Sequence, residues 1–169
     1  MIKEIRKEIS ELQRARMEMK EDAEKTRKTL RNLGFNIGDS TEEIFFSSLE
    51  KTKKFAGIKF KHILRNIHVF RPGLQDEFDI VLVNDSLKKV GLIEIKHKVC
   101  KEDVDDLLNK KLPNFRTLHE FHSDYDIYLG LAGSSIEAKA KKLAEQNGIV
   151  LLTPLGKHIE NQGKIFSAY

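Results

Sequence analysis

At 169 residues, with 40% apolar residues, the chain is long enough for one packed domain and an extension. Charged residues make up 33% with a formal net charge of +4, so partner preference has to come from where the charges sit. The single cysteine, Cys100, excludes an internal disulfide and a paired-cysteine metal site, and no run approaches the ~20 apolar residues that span a bilayer.

Residues 1–33 hold no glycine or proline and carry apolar residues at heptad spacing. Ile2, Ile9, Ala23 and Leu30 share one seam position, and Ile5, Leu12, Met19 and Leu33 share the other; Arg16 and Thr26 interrupt the middle. Two arrangements use such a stripe: a helix pairing with a second copy, or an amphipathic helix folded back on its own domain. The narrowness of the stripe favours a homodimer through residues 1–33. The opening residues (Lys3, Glu4, Arg6, Lys7) do not read as a signal peptide, so a cytoplasmic protein with no membrane partner is expected.

Residues 34–169 form the second expected domain. Gly34 and Gly38 break the helix, and Asp39-Ser40-Thr41 opens another over roughly 41–54, with Ile44, Phe45 and Leu49 as its buried face and Gly57 as its stop. A first strand is expected within 60–70, bounded by Arg71-Pro72-Gly73. Glu77–Asn84 and Val90–Val99 are β-rich runs joined by a hairpin-length link. A helical stretch follows from Glu102 to about Phe121, where Pro113 starts a new turn or a kink. Tyr125–Ala132 predicts a strand, Ser135–Asn147 a helix stopped by Gly148, and Ile149–Thr153 a last strand. The order predicts an α/β sandwich: a central mixed sheet of four to five strands flanked by helices, preceded by a long helix or coiled coil.

The chemistry lies in Asp79 of the first β-run and Glu94-Ile95-Lys96 of the second. Alternation along a strand puts Glu94 and Lys96 on one face and Ile93 and Ile95 on the other. Packing alone would not place a Glu and a Lys side by side there. With Asp79 on the neighbouring strand and the same face, two carboxylates and an ammonium converge. Two close carboxylates repel unless a cation lies between them, and Mg²⁺ or Mn²⁺ would relieve this while keeping positions for water and phosphate. Lys96 would then orient or deprotonate an attacking water, a set suited to metal-assisted phosphodiester hydrolysis. The competing reading makes Asp79 a turn cap and Glu94–Lys96 a solvated pair.

These residues, in paired β-runs followed by helix, strand, helix and strand, resemble the PD-(D/E)XK nuclease superfamily over roughly Ser40 to Thr153. The likeness is nearest to uncharacterised bacterial members that carry a coiled coil before the nuclease-like core. It implies a restriction-endonuclease-like core in which Asp79 and Glu94 bind the divalent ion, the backbone carbonyl of Ile95 adds a ligand, and Lys96 assists the attack. Phe78 stands where the superfamily's motif has proline. Many members also carry an acidic residue on the preceding helix. Here that is Glu43, which in Ser40-x-x-Glu43 also fits a capping box.

From Lys51 to Arg71 there is no acidic residue, whereas Lys51, Lys53, Lys54, Lys59, Lys61, Arg65 and Arg71 are all basic. Such a run suits a nucleic-acid backbone, DNA ahead of RNA, although a solvated helix end and edge strand would look the same. The six histidines show no zinc spacing, Cys100 has no evident base partner, and Gly130-x-x-Gly133 lacks the lysine of a phosphate loop. Asp103, Asp105 and Asp106 crowd a helix start, where the helix dipole explains them. The expected activity is metal-dependent cleavage of nucleic acid. The alternative is a catalytically silent nuclease-like module that binds nucleic acid, or protein through its coiled coil.

Overall fold

The computed structural model describes residues 2–32, 40–120, 123–155, 158–161 and 167–169. The chain divides into two compact units, Met1–Ser40 and Thr41–Tyr169. The first is α1 (Ile2–Asn32), one uninterrupted helix of 31 residues, as the absence of glycine and proline requires. Its side chains from Glu11 to Thr26 are all exposed, Leu12 and Met19 of the apolar stripe included. The expected break at Gly34 and Gly38 lies outside the described residues.

The second unit opens with α2 (Ser40–Thr52), whose Phe45 and Leu49 are fully buried. The helix does not run to Gly57. It stops at Lys53, which takes a left-handed conformation at φ 49°, and Gly57, at φ 73°, turns a two-residue ribbon instead. The ribbon strands β1 (Lys54–Phe55) and β2 (Ile58–Lys59) pair antiparallel with Lys54 opposite Lys59.

A mixed six-stranded sheet follows, in the order β3 (His62–Arg71), β4 (Leu74–Asn84), β5 (Lys89–Val99), β6 (Asp126–Ile136), β7 (Val150–Leu155) and β8 (His158–Asn161). The first three form an antiparallel meander, β6 and β7 run parallel to β5, and β8 turns back antiparallel. All five expected strands are present, and β8 adds a sixth. β6 continues to Ile136, so Ser135 belongs to the strand. It stays extended because it pairs with β5 as far as Val99, opposite Ile136. The following helix, α5 (Ala138–Gln146), therefore starts later than the sequence suggests.

Between β5 and β6 the chain is helical from Lys101 to Leu118: α3 (Lys101–Asp106), a π-helical turn (Leu107–Lys111) and α4 (Leu112–Leu118). Pro113 does not break the helical run; it sits in the first turn of α4, as expected of a proline that starts a new turn. A proline lacks the amide that would bond four residues back, and the wider turn just before it accommodates that loss. Asp103 closes the helix start, accepting the Cys100 N–H at 2.7 Å, a cap that accounts for it beyond the dipole.

Alternation sorts the sheet's side chains into two cores. One face presents Val81, Val83, Leu92, Leu129 and Leu131 to Val104, Leu107, Phe115 and Ala140 of the helices. The other presents Ile80, Leu82, Ile93, Ala132 and Leu152 to Phe45 and Leu49 of α2 and to Phe55 of the ribbon. Gly91 and Gly130 are what allow the ribbon to sit so close. A Cβ on either would lie 2.8 Å from the Phe55 ring.

Candidate active site

The β3–β4 ladder pairs Arg65 with Ile80 and Ile67 with Phe78, but skips Asn66 and Asp79 between them. Asn66 is left-handed, at φ 49°. Across this point both strands exchange faces. Ile63 and Ile80 pack with the α2 core, whereas Ile67 and Phe78 pack with the helical core. Phe78 is fully buried and meets Phe115 edge-on, with ring centroids 5.2 Å apart. That contact docks α4 against the N-terminal half of β4.

On its other side β4 pairs with β5 only from Asn84–Lys89 to Ile80–Ile93. Beyond that point β4 stays with β3 and β5 stays with β6, so the sheet forks. Asp79 is the first residue in the fork on one arm and Glu94 the first on the other. The Ile95 N–H, freed from the ladder, donates to Asp79 Oδ2 at 2.7 Å. Glu94 shares the Leu92 face by alternation and is buried, at 4% exposure. Asp79 and Glu94 thus stand on adjacent antiparallel strands, close enough for the Asp79 charge to act on Glu94. Lys96 follows on the Glu94 side of β5, and its charge acts on both carboxylates.

Burial pushes Glu94 up to about 7, and the neighbouring Asp79 charge adds to the rise despite Lys111 and Lys96. Burial also raises Asp79, against the Ile95 amide and the charges of Lys111 and Lys96. Glu94 Oε1 is buried and has no hydrogen-bond partner. A buried carboxylate oxygen left this way costs free energy unless something fills the place.

Three participants were not foreseen from the sequence. Lys111, on the π-helical turn, reaches Asp76 Oδ1 at 2.9 Å and Glu94 Oε2 at 3.4 Å, and donates to the Glu77 carbonyl. Asn114 donates to Asp76 Oδ2 at 2.7 Å. Burial alone would raise Asp76, but the bonds from Asn114, Lys111 and the Glu77 N–H outweigh it and hold its carboxyl below the usual value. Burial likewise works against the Lys111 charge, yet Asp76 and Glu94 hold its ammonium above the usual value. The signal in the sequence was slight: one lysine, among many, two residues before Pro113.

Glu43 is not brought to the pair. It lies on α2, over the opposite core, where it takes a hydrogen bond from Arg65 Nη1 at 2.8 Å and one from Ser47 Oγ at 3.1 Å. Among the described residues no group of three or more His, Cys, Asp or Glu side chains is placed to hold a metal. The donor set is two carboxylates, Asp79 and Glu94, with one buried Glu94 oxygen left unpartnered, a set whose chemistry suits a hard divalent ion. Mg²⁺ commonly takes only one or two carboxylates and fills its remaining positions with water and phosphate.

The basic segment divides. Arg65 pairs with Glu43 and lies 4.7 Å over the Phe46 ring, Arg71 pairs with Glu120 at 2.8 Å, and Lys61 bonds to Ser86. Lys51, Lys53, Lys54 and Lys59 have no ion-pair partner among the described residues and gather at the end of α2 and on the ribbon. Because Phe55 packs on the α2 side of the sheet, this basic ribbon lies on the face opposite Glu94. No described helix is long and apolar enough to cross a membrane. Compared with protein-family profiles, with curated proteins and with solved structures, the chain finds no match.

Proposed function

We propose that the chain is a divalent-metal-dependent nuclease of PD-(D/E)XK type, cutting phosphodiester bonds in nucleic acid, DNA ahead of RNA. The observation that carries this reading is the fork, where Asp79 and Glu94 meet with one buried carboxylate oxygen unpartnered. Asp79, Glu94 and the Ile95 carbonyl would hold Mg²⁺ or Mn²⁺, which when bound supplies a polarised water and charge relief for the phosphate. Lys96 acts as the local proton acceptor or as a cation on the phosphate oxygens. Lys51, Lys53, Lys54 and Lys59 offer the phosphate backbone a second, separate surface.

The test is cleavage of DNA and RNA by the purified chain with either ion, lost in chelator, in Glu94→Gln and largely in Lys96→Ala. Equal cleavage by the wild type and Glu94→Gln would refute the assignment. One observation favours a second reading: Lys111 already pairs with Asp76 and Glu94 without any metal. A protein that binds DNA tightly with either ion but never cuts it would be a silent binding module. The exposed Leu12 and Met19 stripe of α1 supports pairing with a second copy. Truncation at Gly34 should then lower the mass in light scattering from that of a dimer to that of a monomer, and a monomeric full-length chain would reject the pairing.

A further inference from the structure

Lys111 is an unusual choice for the inner face of a helix. Its side chain is 13% exposed, and the ammonium lies 5.5 Å from the Phe78 ring centroid, with much less solvation than a lysine normally keeps. Three acceptors surround it: Asp76 Oδ1, the Glu77 carbonyl and Glu94 Oε2. An ammonium has three hydrogens, so this set is complete. It joins both arms of the fork, since Asp76 and Glu77 belong to β4 and Glu94 to β5.

Counting charges in the fork gives Asp76, Asp79 and Glu94 against Lys96 and Lys111. With all five ionised the set carries one net negative charge, and without Lys111 it carries two. A divalent ion therefore restores neutrality in the absence of Lys111, but leaves one positive charge in its presence. Both cations also draw on the same carboxylate, because Glu94 offers Oε2 to Lys111 and has only Oε1 left.

Resting on the metal-dependent reading above, we infer that Lys111 is a tethered counter-cation that competes with the divalent ion for Glu94. The fork is held together by the lysine when empty of metal, and metal binding has to loosen or expel it. The lysine thereby limits affinity for the ion. Asp76, Glu77 and Asn114 set the strength of that limit, because they hold the Asp76–Lys111 pair without touching Asp79.

The test is Lys111→Met in the full chain, which keeps the apolar stem and removes the charge. Mn²⁺ affinity is measured by calorimetry beside the wild type, with Glu94→Gln in each background as the site control. Mn²⁺ should bind Lys111→Met at least about tenfold more tightly than wild type, a modest fraction of what one like charge at close range is worth. It should also raise the melting temperature of the variant more. If the variant does not fold without metal, Mn²⁺ should restore folding, and failure to do so overturns the inference. A wild-type measurement runs alongside. The buried ammonium of Lys111 should give a slowly exchanging ¹⁵Nζ signal that disappears on adding Mg²⁺, and its persistence in metal-loaded protein overturns the displacement. Equal or weaker Mn²⁺ binding by Lys111→Met refutes the competition while leaving a metal site in place. No binding of either ion by either protein refutes the metal-dependent reading itself.

Discussion

Glu94→Gln without metal tests the electrostatics of the fork directly. A carboxyl whose pKa in the folded protein is about 7, against an ordinary 4.5, keeps its proton when folded and loses it when unfolded. Below pH 4.5 both states are protonated and the group has no effect. As pH rises from 4.5 to 7 the unfolded state is favoured, and above 7 the effect is constant. At about 1.4 kcal/mol per unit over this window, Glu94 alone takes about 3 kcal/mol from the stability of the fold. For a unit of this size that is roughly 10 °C in melting temperature. Asp79 is shifted in the same direction and steepens the slope. Glu94→Gln keeps the shape and an oxygen for Lys111 but cannot ionise. Urea unfolding of both proteins in chelator, from pH 4.5 to 8, should therefore show stability curves that diverge as pH rises, with the variant the more stable at pH 8. Parallel curves would refute both the burial cost and the repulsion from Asp79.

Asp76→Ala should leave Lys111 with only Glu94 and the Glu77 carbonyl and free Asn114, lowering stability by about 3 kcal/mol in urea titrations. A loss under 1 kcal/mol would mean that the pair is solvated. Gly130→Ala, whose Cβ would lie 2.8 Å from the Phe55 ring, should cost about 2 kcal/mol by pushing the ribbon off the sheet. An unchanged melting temperature would contradict that packing. Lys54→Gln with Lys59→Gln removes two like charges that face each other across the ribbon, so stability should hold or rise slightly. DNA affinity should fall about equally for every sequence, with a shallower salt dependence. Unchanged affinity would assign the ribbon no part in binding.

The carboxylate pair was legible because strand alternation is local: Ile93 and Ile95 had to face a core, which left Glu94 and Lys96 on the other side. The succession of the sheet's first five strands along the chain followed from similarly local signals, such as the Pro72-Gly73 turn and the Asp85–Lys89 link. What escaped was tertiary. Lys111 and Asp76 meet only because Phe115 docks on Phe78, and no periodicity within either segment records that contact. The seven-residue basic run was visible as composition, but its split had to come from the sheet. Phe55 turns the ribbon lysines to one face, while Arg65 and Arg71 are neutralised by Glu43 and Glu120. The left-handed Lys53 ends α2 without the glycine that would have announced it.

Because the ladder stops at Ile80–Ile93, the distance between the two carboxylates is not fixed by the strand spacing of a continuous sheet. Asp79 belongs to the arm paired with β3, and Glu94 to the arm paired with β6. Two links cross the gap here, the Ile95 amide to Asp79 and the Lys111 ammonium to Glu94, and both depend on charge. The fork is accordingly bridged by contacts whose strength depends on charge. Protonating Asp79 weakens its hold on the Ile95 amide, and drawing Lys111 away unfastens the β4 arm from Glu94. Exchange of the Ile95 amide with solvent reads the opening directly, at a single backbone position and independently of any substrate.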